Sequence, residues 1–299
     1  MSIAGSGKPS SRQVWQGMAW GLLGVVGFAG SFPSAKFAVM TLDPWFIALG
    51  RAVVAGGLSA LLLLWFKATP PKGRAQWRDL AFAVAGVVVG FPVLSTLSLK
   101  HIPVAYASIV SGALPLMTAV VASVFAGERH RPAFWLWSLL GCALVVGFAV
   151  WRSLGIQATV SDHIGFVLIF SAVIVCAFGY VAGARLARAV GSWQSICWSL
   201  VVSAPFLLVP VWLFRPTHDI PLHSWLGFGY QSLISMFLGF FAWYRGLALG
   251  GIARVGQVQL LQPFISLLLA AWLLGEVISV WMWFVAVGVV ACVWMGRRS

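Results

Sequence analysis

Two polar stripes stand out in a chain of 299 residues that is otherwise strongly apolar. Gln259, Gln262 and Ser266 recur at intervals of three and four, which puts them on one helical face with Pro263 beside them. Ser108, Ser111, Pro115 and Thr118 make a second stripe of the same kind. These groups bind rather than react. An amide offers two donors and an acceptor and a hydroxyl offers one donor with acceptor capacity, so the stripes match an ammonium or a carboxylate without a fixed charge. Each proline also leaves a carbonyl of the preceding turn without its amide partner, which an apolar setting tolerates only where protein, water or ligand satisfies it. The stripes are candidate cavity lining; the competing reading of the same residues is interhelical hydrogen bonding and kinking without ligand contact.

Other polar and aromatic groups extend the candidate set. Gln231 and Ser235 lie one turn apart and lead into Phe240, Phe241, Trp243, Tyr244 and Arg245. That cluster suits either flat contact with an apolar or aromatic ligand or an interfacial belt anchored by Arg245. Ser108, Ser111, Thr118, Gln231, Ser235, Trp243, Tyr244, Gln259, Gln262 and Ser266 are thus the candidate binding residues. Pro33, Lys36, Arg51, Pro115 and Pro263 are candidates for a pathway or gate. Lys36 and Arg51 can each snorkel to an interface; Arg51 also lies deep enough in its span for the competing reading, a pore role such as meeting a carboxylate.

Several chemistries lack their residues. Glu128 and Glu276 sit at span ends and no acid lies deep in a span, so a carboxylate relay for protons or sodium has no obvious carrier. His101, His130, His163, His218 and His223 fall in or beside loops without ligand spacing, and Cys142, Cys176, Cys197 and Cys292 form no CxxC. No phosphate loop, HExxH or nucleophile constellation is present. The expectation is no catalytic residue, no metal site, no cofactor and no enzymatic activity.

The elements that must position these groups are membrane spans. At 61% hydrophobic and 8% charged, the chain is far from a soluble domain, for which about 25% charged is usual. The net charge of +13 comes from basic residues scattered in short loops, which excludes a nucleic-acid surface and points to charge asymmetry across a bilayer. Ten apolar runs read as spans, approximately residues 17–39, 45–66, 80–99, 103–126, 132–151, 163–184, 193–214, 225–249, 252–274 and 277–294. Of 19 basic residues, 14 then fall on the side that carries both termini, which assigns that side to the cytosol. Gly17, Gly21, Gly24, Gly27 and Gly30, and again Gly86 and Gly90, form small-residue ridges for close helix approach.

The chain also repeats itself. Shifted by 148 positions, Ala105 falls on Ala253, Pro115 on Pro263, Gly127 on Gly275, Glu128 on Glu276 and Trp135 on Trp283. Ser111 then falls on Gln259 and Thr118 on Ser266. In the first span of each half a shift of 149 aligns Gly30 with Gly179 and Lys36 with Arg185. Five spans per half is an odd number, so the second half enters from the opposite face. The expected fold is an all-α polytopic membrane protein, ten transmembrane helices as two inverted five-helix repeats. Its divisions are a cytosolic tail at residues 1–13, a first repeat at 14–151, a non-cytosolic linker at 152–162, a second repeat at 163–296 and a cytosolic C-terminus at 297–299.

Ten spans, the inverted repeat and the Pro…Gly-Glu ending of each half resemble the EamA-type members of the drug/metabolite transporter superfamily, and within it the bacterial YddG-type aromatic amino acid exporters. The resemblance implies an inner-membrane carrier with both termini cytosolic that exports amino acids, aromatic and large apolar ones above all, by alternating access. Export of another small metabolite or drug-like compound through the same fold is the alternative. It further implies that the first four spans of each half surround a central cavity, with Ser108–Glu128, Gly256–Glu276 and Gly30–Lys36 beside the pathway. The partners expected are the transported solute and membrane lipids.

Overall fold

The computed structural model describes residues 11–126, 132–153, 159–250 and 255–298, and all regular structure in them is helical. Among the described residues, eight helical rods are long and apolar enough to cross a membrane, and two shorter apolar helices follow near the end of the chain. Many large apolar side chains face outward, among them Leu64, Trp65, Leu139, Phe206 and Trp272. In water such a surface would be an aggregation hazard; against lipid it costs nothing.

The first rod joins α1 (Ser11–Ala29) to α2 (Ser31–Val39) through Gly30. Pro33 accounts for the break, since it has no amide hydrogen for the carbonyl of Ala29 four residues back. Asp43 then caps α3 (Pro44–Trp65), accepting from the Trp45 amide at 2.8 Å with Pro44 at the first helical position. The third rod is α4 (Gly73–Ala83), a wide π-helical segment Val84–Gly90 and α5 (Phe91–Ser98). The fourth was expected to be one helix from Pro103; instead α6 (Val104–Ser111) stops and α7 (Leu114–Ala126) starts afresh, because Pro115 cannot bond to the Ser111 carbonyl. The fifth rod is α8 (Pro132–Ser153).

A capping box between Thr159 and Asp162 opens α9 (Val160–Val190). Its 31 residues are longer than a hydrocarbon core of about 30 Å requires, so it projects beyond it. After α10 (Ser192–Leu213), the eighth rod is α11 (Leu222–Gly229), a second π-helical segment Tyr230–Leu238 and α12 (Gly239–Gly250). A 3-10 turn, Gly256–Leu261, leads into α13 (Gln262–Leu274), and α14 (Val280–Arg298) ends the chain. The last helix starts three residues later than the apolar pattern implies, because Gly275 turns the chain with a left-handed φ of 65°. Expectations placed on residues 1–10, on Glu128 and Arg129, on the start of the ninth span at residues 251–254 and on the side chains of Arg152 and Tyr244 lie outside the described residues.

The rods pair in a pattern that exchanges the halves. α1 lies along α12, and α9 lies along α4, the first π segment and α5; α3 packs on α10, α6 on α13 and α8 on α14. Glycine makes the closest approaches possible. A Cβ on Gly86 would stand 2.6 Å from the Gly179 Cα, and one on Gly246 would stand 2.6 Å from the Gly21 nitrogen. The glycine ridges read from sequence are therefore helix contacts between the two halves.

Candidate functional site

The broken rods meet around a central cavity, leaving about 80 Å³ in which the centre of a water molecule can move. That is room for several waters or the polar head of a small solute. Its lining is paired across the halves at the 148-residue shift. Ser111 and Gln259, Gly112 and Leu260, Leu114 and Gln262, and Pro115 and Pro263 all face it from the interrupted fourth and ninth segments. Phe28 and Cys176, Phe32 and Tyr180, and Val87 and Ser235 face it from the first, sixth, third and eighth. Val87 and Ser235 each lie in a π segment, whose extra residue per turn re-aims side chains. Aromatic rings wall the space: Phe28 meets Phe240 edge-on at 4.9 Å, and Phe32 lies 6.3 Å from Phe91.

One cation enters this lining. Arg51 is 6% exposed and stands roughly 10 Å along α3 from its start, well inside an apolar layer. Its Nη1 donates to Gln231 Oε1. Gln231 is itself fully buried, its Nε2 donating to the Ser31 carbonyl and, at 3.0 Å, to Ser34 Oγ. A carbonyl only accepts and a guanidinium only donates, so these two neighbours fix which way the amide points. Ser235 Oγ donates to Ser31 Oγ at 3.0 Å and closes the network. Arg51 Nε and Ser111 Oγ, both buried, have no hydrogen-bond partner among the described residues.

The candidates from sequence separate into those at the cavity and those that build its frame. Ser108, Ser111, Ser235, Gln259, Gln262, Ser266, Arg51, Pro115 and Pro263 line it. Gln231 holds Arg51 from behind instead. Thr118 faces elsewhere and donates to the Leu114 carbonyl at 2.8 Å, because the break at Gly112 rotates α7 out of the stripe that continuous helical spacing implied. Pro33 is buried in α2, and Trp243 lies beyond the cavity lining where α12 meets α1 near Gly24. Arg245 stacks its guanidinium 5.0 Å from the Trp20 ring, as an anchor would. Lys36 Nζ donates to the Leu99 carbonyl at 2.5 Å and so closes the C-terminal end of α5.

Phe28, Ser31, Phe32, Phe91, Cys176, Tyr180 and Phe240 also line the cavity. Of these, Phe28, Phe32, Cys176 and Tyr180 were open to discovery: the 148-residue shift that pairs the fourth and ninth segments pairs them too, whereas the shift of 149 hides the relation. The Gly-Glu ending has a structural role here. Glu276 reaches from the turn at Gly275 to the start of α6, where its two oxygens accept from the Val104 and Ala105 amides at 2.7 and 2.8 Å. Those amides are among the unpaired donors of a helix N-terminus, where negative charge is favoured. Among the described residues no group of three His, Cys, Asp or Glu could hold a metal.

Residues 15–150 and residues 163–296 each match the EamA-like transporter family. The chain belongs to that family and carries two EamA repeats, which makes it a polytopic membrane protein of the drug/metabolite transporter superfamily, a secondary transporter and not an enzyme. It is 43% identical over 280 residues to the uncharacterized transporter YdeK of Bacillus subtilis, covering 93% of this chain and 96% of that one. It is 27% identical over 267 residues to a probable terminal-alkyne amino-acid exporter of Streptantibioticus cattleyicolor, with 86% of each chain covered. A crystal structure at 17% identity superposes with a TM-score of 0.66 over 94% of this chain and 97% of that one, a likeness of fold.

Proposed function

We propose that this protein exports amino acids, favouring aromatic and large apolar ones, across the bacterial inner membrane. The observation that carries the reading is the composition of one cavity: an arginine and neutral amides and hydroxyls for a polar head, beside Phe28, Phe32, Phe91, Tyr180 and Phe240 for a side chain. A relative named as a probable amino-acid exporter supports the substrate class. The mechanism is alternating access by ten spans in two inverted five-helix halves. Two features support it: rods that pair with the halves exchanged, and a cavity lined by residues 148 apart. Both termini lie in the cytosol in this account, following the distribution of basic residues.

Uptake of a labelled amino-acid panel into proteoliposomes containing the purified protein tests the substrate class. Accumulation of Phe, Trp, Met or Leu above protein-free vesicles is expected. Transport of cationic drug-like compounds with no amino acid in the panel moving would replace this reading by export of another small metabolite or drug.

A further inference from the structure

Serine hydroxyls, apolar side chains and a proline line the cavity from both halves, whereas among the described residues its charge, Arg51, comes from the first half alone. The position 148 residues after Arg51 is Ser199, which is buried, donates to the Ser195 carbonyl at 2.9 Å and takes no part in the lining. Arg51 faces the cavity, with Gln231 fixing it from behind and Nε unpartnered. Its guanidinium carries five N–H groups in a planar fork, more than Gln231 can accept.

No described carboxylate is free to neutralise it. Asp43 caps α3, Asp79 lies 3.9 Å from both Arg78 and Arg185, Asp162 caps α9 and Glu276 caps α6. Asp219 is exposed in the loop before α11. A buried guanidinium without a counter-ion is costly, and a carboxylate is the partner whose two oxygens match the fork. The same census bears on the opposite end of an amino acid. No acidic side chain lines the cavity among the described residues, so an ammonium would meet only the neutral acceptors of Ser108, Ser235, Gln259 and Gln262. One end of the ligand is matched by a full charge and the other by hydrogen bonds that water supplies almost as well.

We propose that Arg51 is a carboxylate-reading residue and that the cavity selects a carboxylate carrying a bulky apolar tail, with the amino group dispensable. The tail preference rests on the amino-acid reading above; the carboxylate requirement rests on Arg51 and the absence of a described acid beside it. Arylalkanoic acids without an amino group are therefore ligands of the same site.

The test is direct binding to the purified wild-type protein in detergent, using phenylalanine, 3-phenylpropionate and 2-phenylethylamine. 3-Phenylpropionate is expected to bind within about threefold of phenylalanine, and 2-phenylethylamine at least about tenfold more weakly. Arg51→Gln that elutes as a monodisperse peak should lose about tenfold or more for both carboxylates, with Arg51→Lys retaining part of the affinity. Binding of 2-phenylethylamine as tight as that of phenylalanine would overturn the proposal, as would phenylalanine binding without 3-phenylpropionate or undiminished carboxylate binding by Arg51→Gln. Those results leave amino-acid export standing. Binding of 3-phenylpropionate without phenylalanine removes the amino-acid reading and keeps the role of Arg51, and no binding of any of the three removes both. The wild-type comparison decides the question even if neither variant folds.

Discussion

Ser266 Oγ donates a hydrogen bond of 2.9 Å to the carbonyl oxygen of Ala29. Pro33 is the reason that oxygen is free, since the residue four places on cannot donate to it. The bond ties the first rod to α13 beside the cavity, so one proline and one serine on opposite halves of the chain form a single structural device. Ser266→Ala is expected to leave the Ala29 carbonyl without this partner and to lower stability by about 1–3 kcal/mol. Thermal unfolding of the purified variant measures this; a midpoint equal to that of wild type would show that water takes over the bond at no cost.

Two glycines in neighbouring rods should respond oppositely to a larger side chain. A Cβ at Gly86 would stand 2.6 Å from the Gly179 Cα and the Val175 carbonyl, whereas Gly57 has nothing within 4 Å of its Cβ position. Gly86→Val is expected to destabilise by about 1–3 kcal/mol through forced backbone separation. Gly57→Ala should gain about 0.5–1 kcal/mol by restricting the unfolded chain. Equal folded yields and midpoints for the two variants would contradict the packing of α9 on the third rod.

Gln259 and Gln262 line the cavity, and neither side-chain amide hydrogen-bonds to another described residue. Alanine at either position is expected to weaken substrate binding or transport efficiency by roughly five- to 150-fold while thermal stability stays near that of wild type. Normal transport across the substrate panel would remove both amides from recognition. A loss of folded protein with unchanged affinity would reassign them to helix packing.

Topology has its own check. Lys72→Cys, in the basic loop between α3 and α4, should react with a membrane-impermeant maleimide only after cells are opened. Strong labelling of intact cells would reverse the orientation and place the termini outside.

Much of this architecture was legible in the sequence because its causes are local. Apolar runs and the 148-residue repeat located the rods, and spacings of three and four grouped most of the polar side chains that line the cavity. What escaped was rotation and reach. Ser108, Ser111 and Thr118 share a face only on an unbroken helix, and the turn at Gly112 separates Thr118 from the other two. Gln231 had the chemistry of a ligand-binding amide, but its position behind Arg51 depends on how three rods pack. The π segments have no spacing signature of their own. Nor could spacing show Glu276 crossing to the Val104 and Ala105 amides, 172 and 171 positions away in the chain.

The central claim is that one cavity carries an amino acid across the bilayer by turns facing each side, and counterflow tests it most directly. Proteoliposomes preloaded with unlabelled phenylalanine and diluted into a trace of labelled phenylalanine should show transient accumulation of label above equilibrium, because each outward passage of unlabelled substrate returns the carrier for an inward passage of label. Overshoot is expected for phenylalanine, and its loss is expected when the preloaded amino acid is omitted. Equilibration of label without overshoot, or no protein-dependent movement of any aromatic or large apolar amino acid, would contradict it.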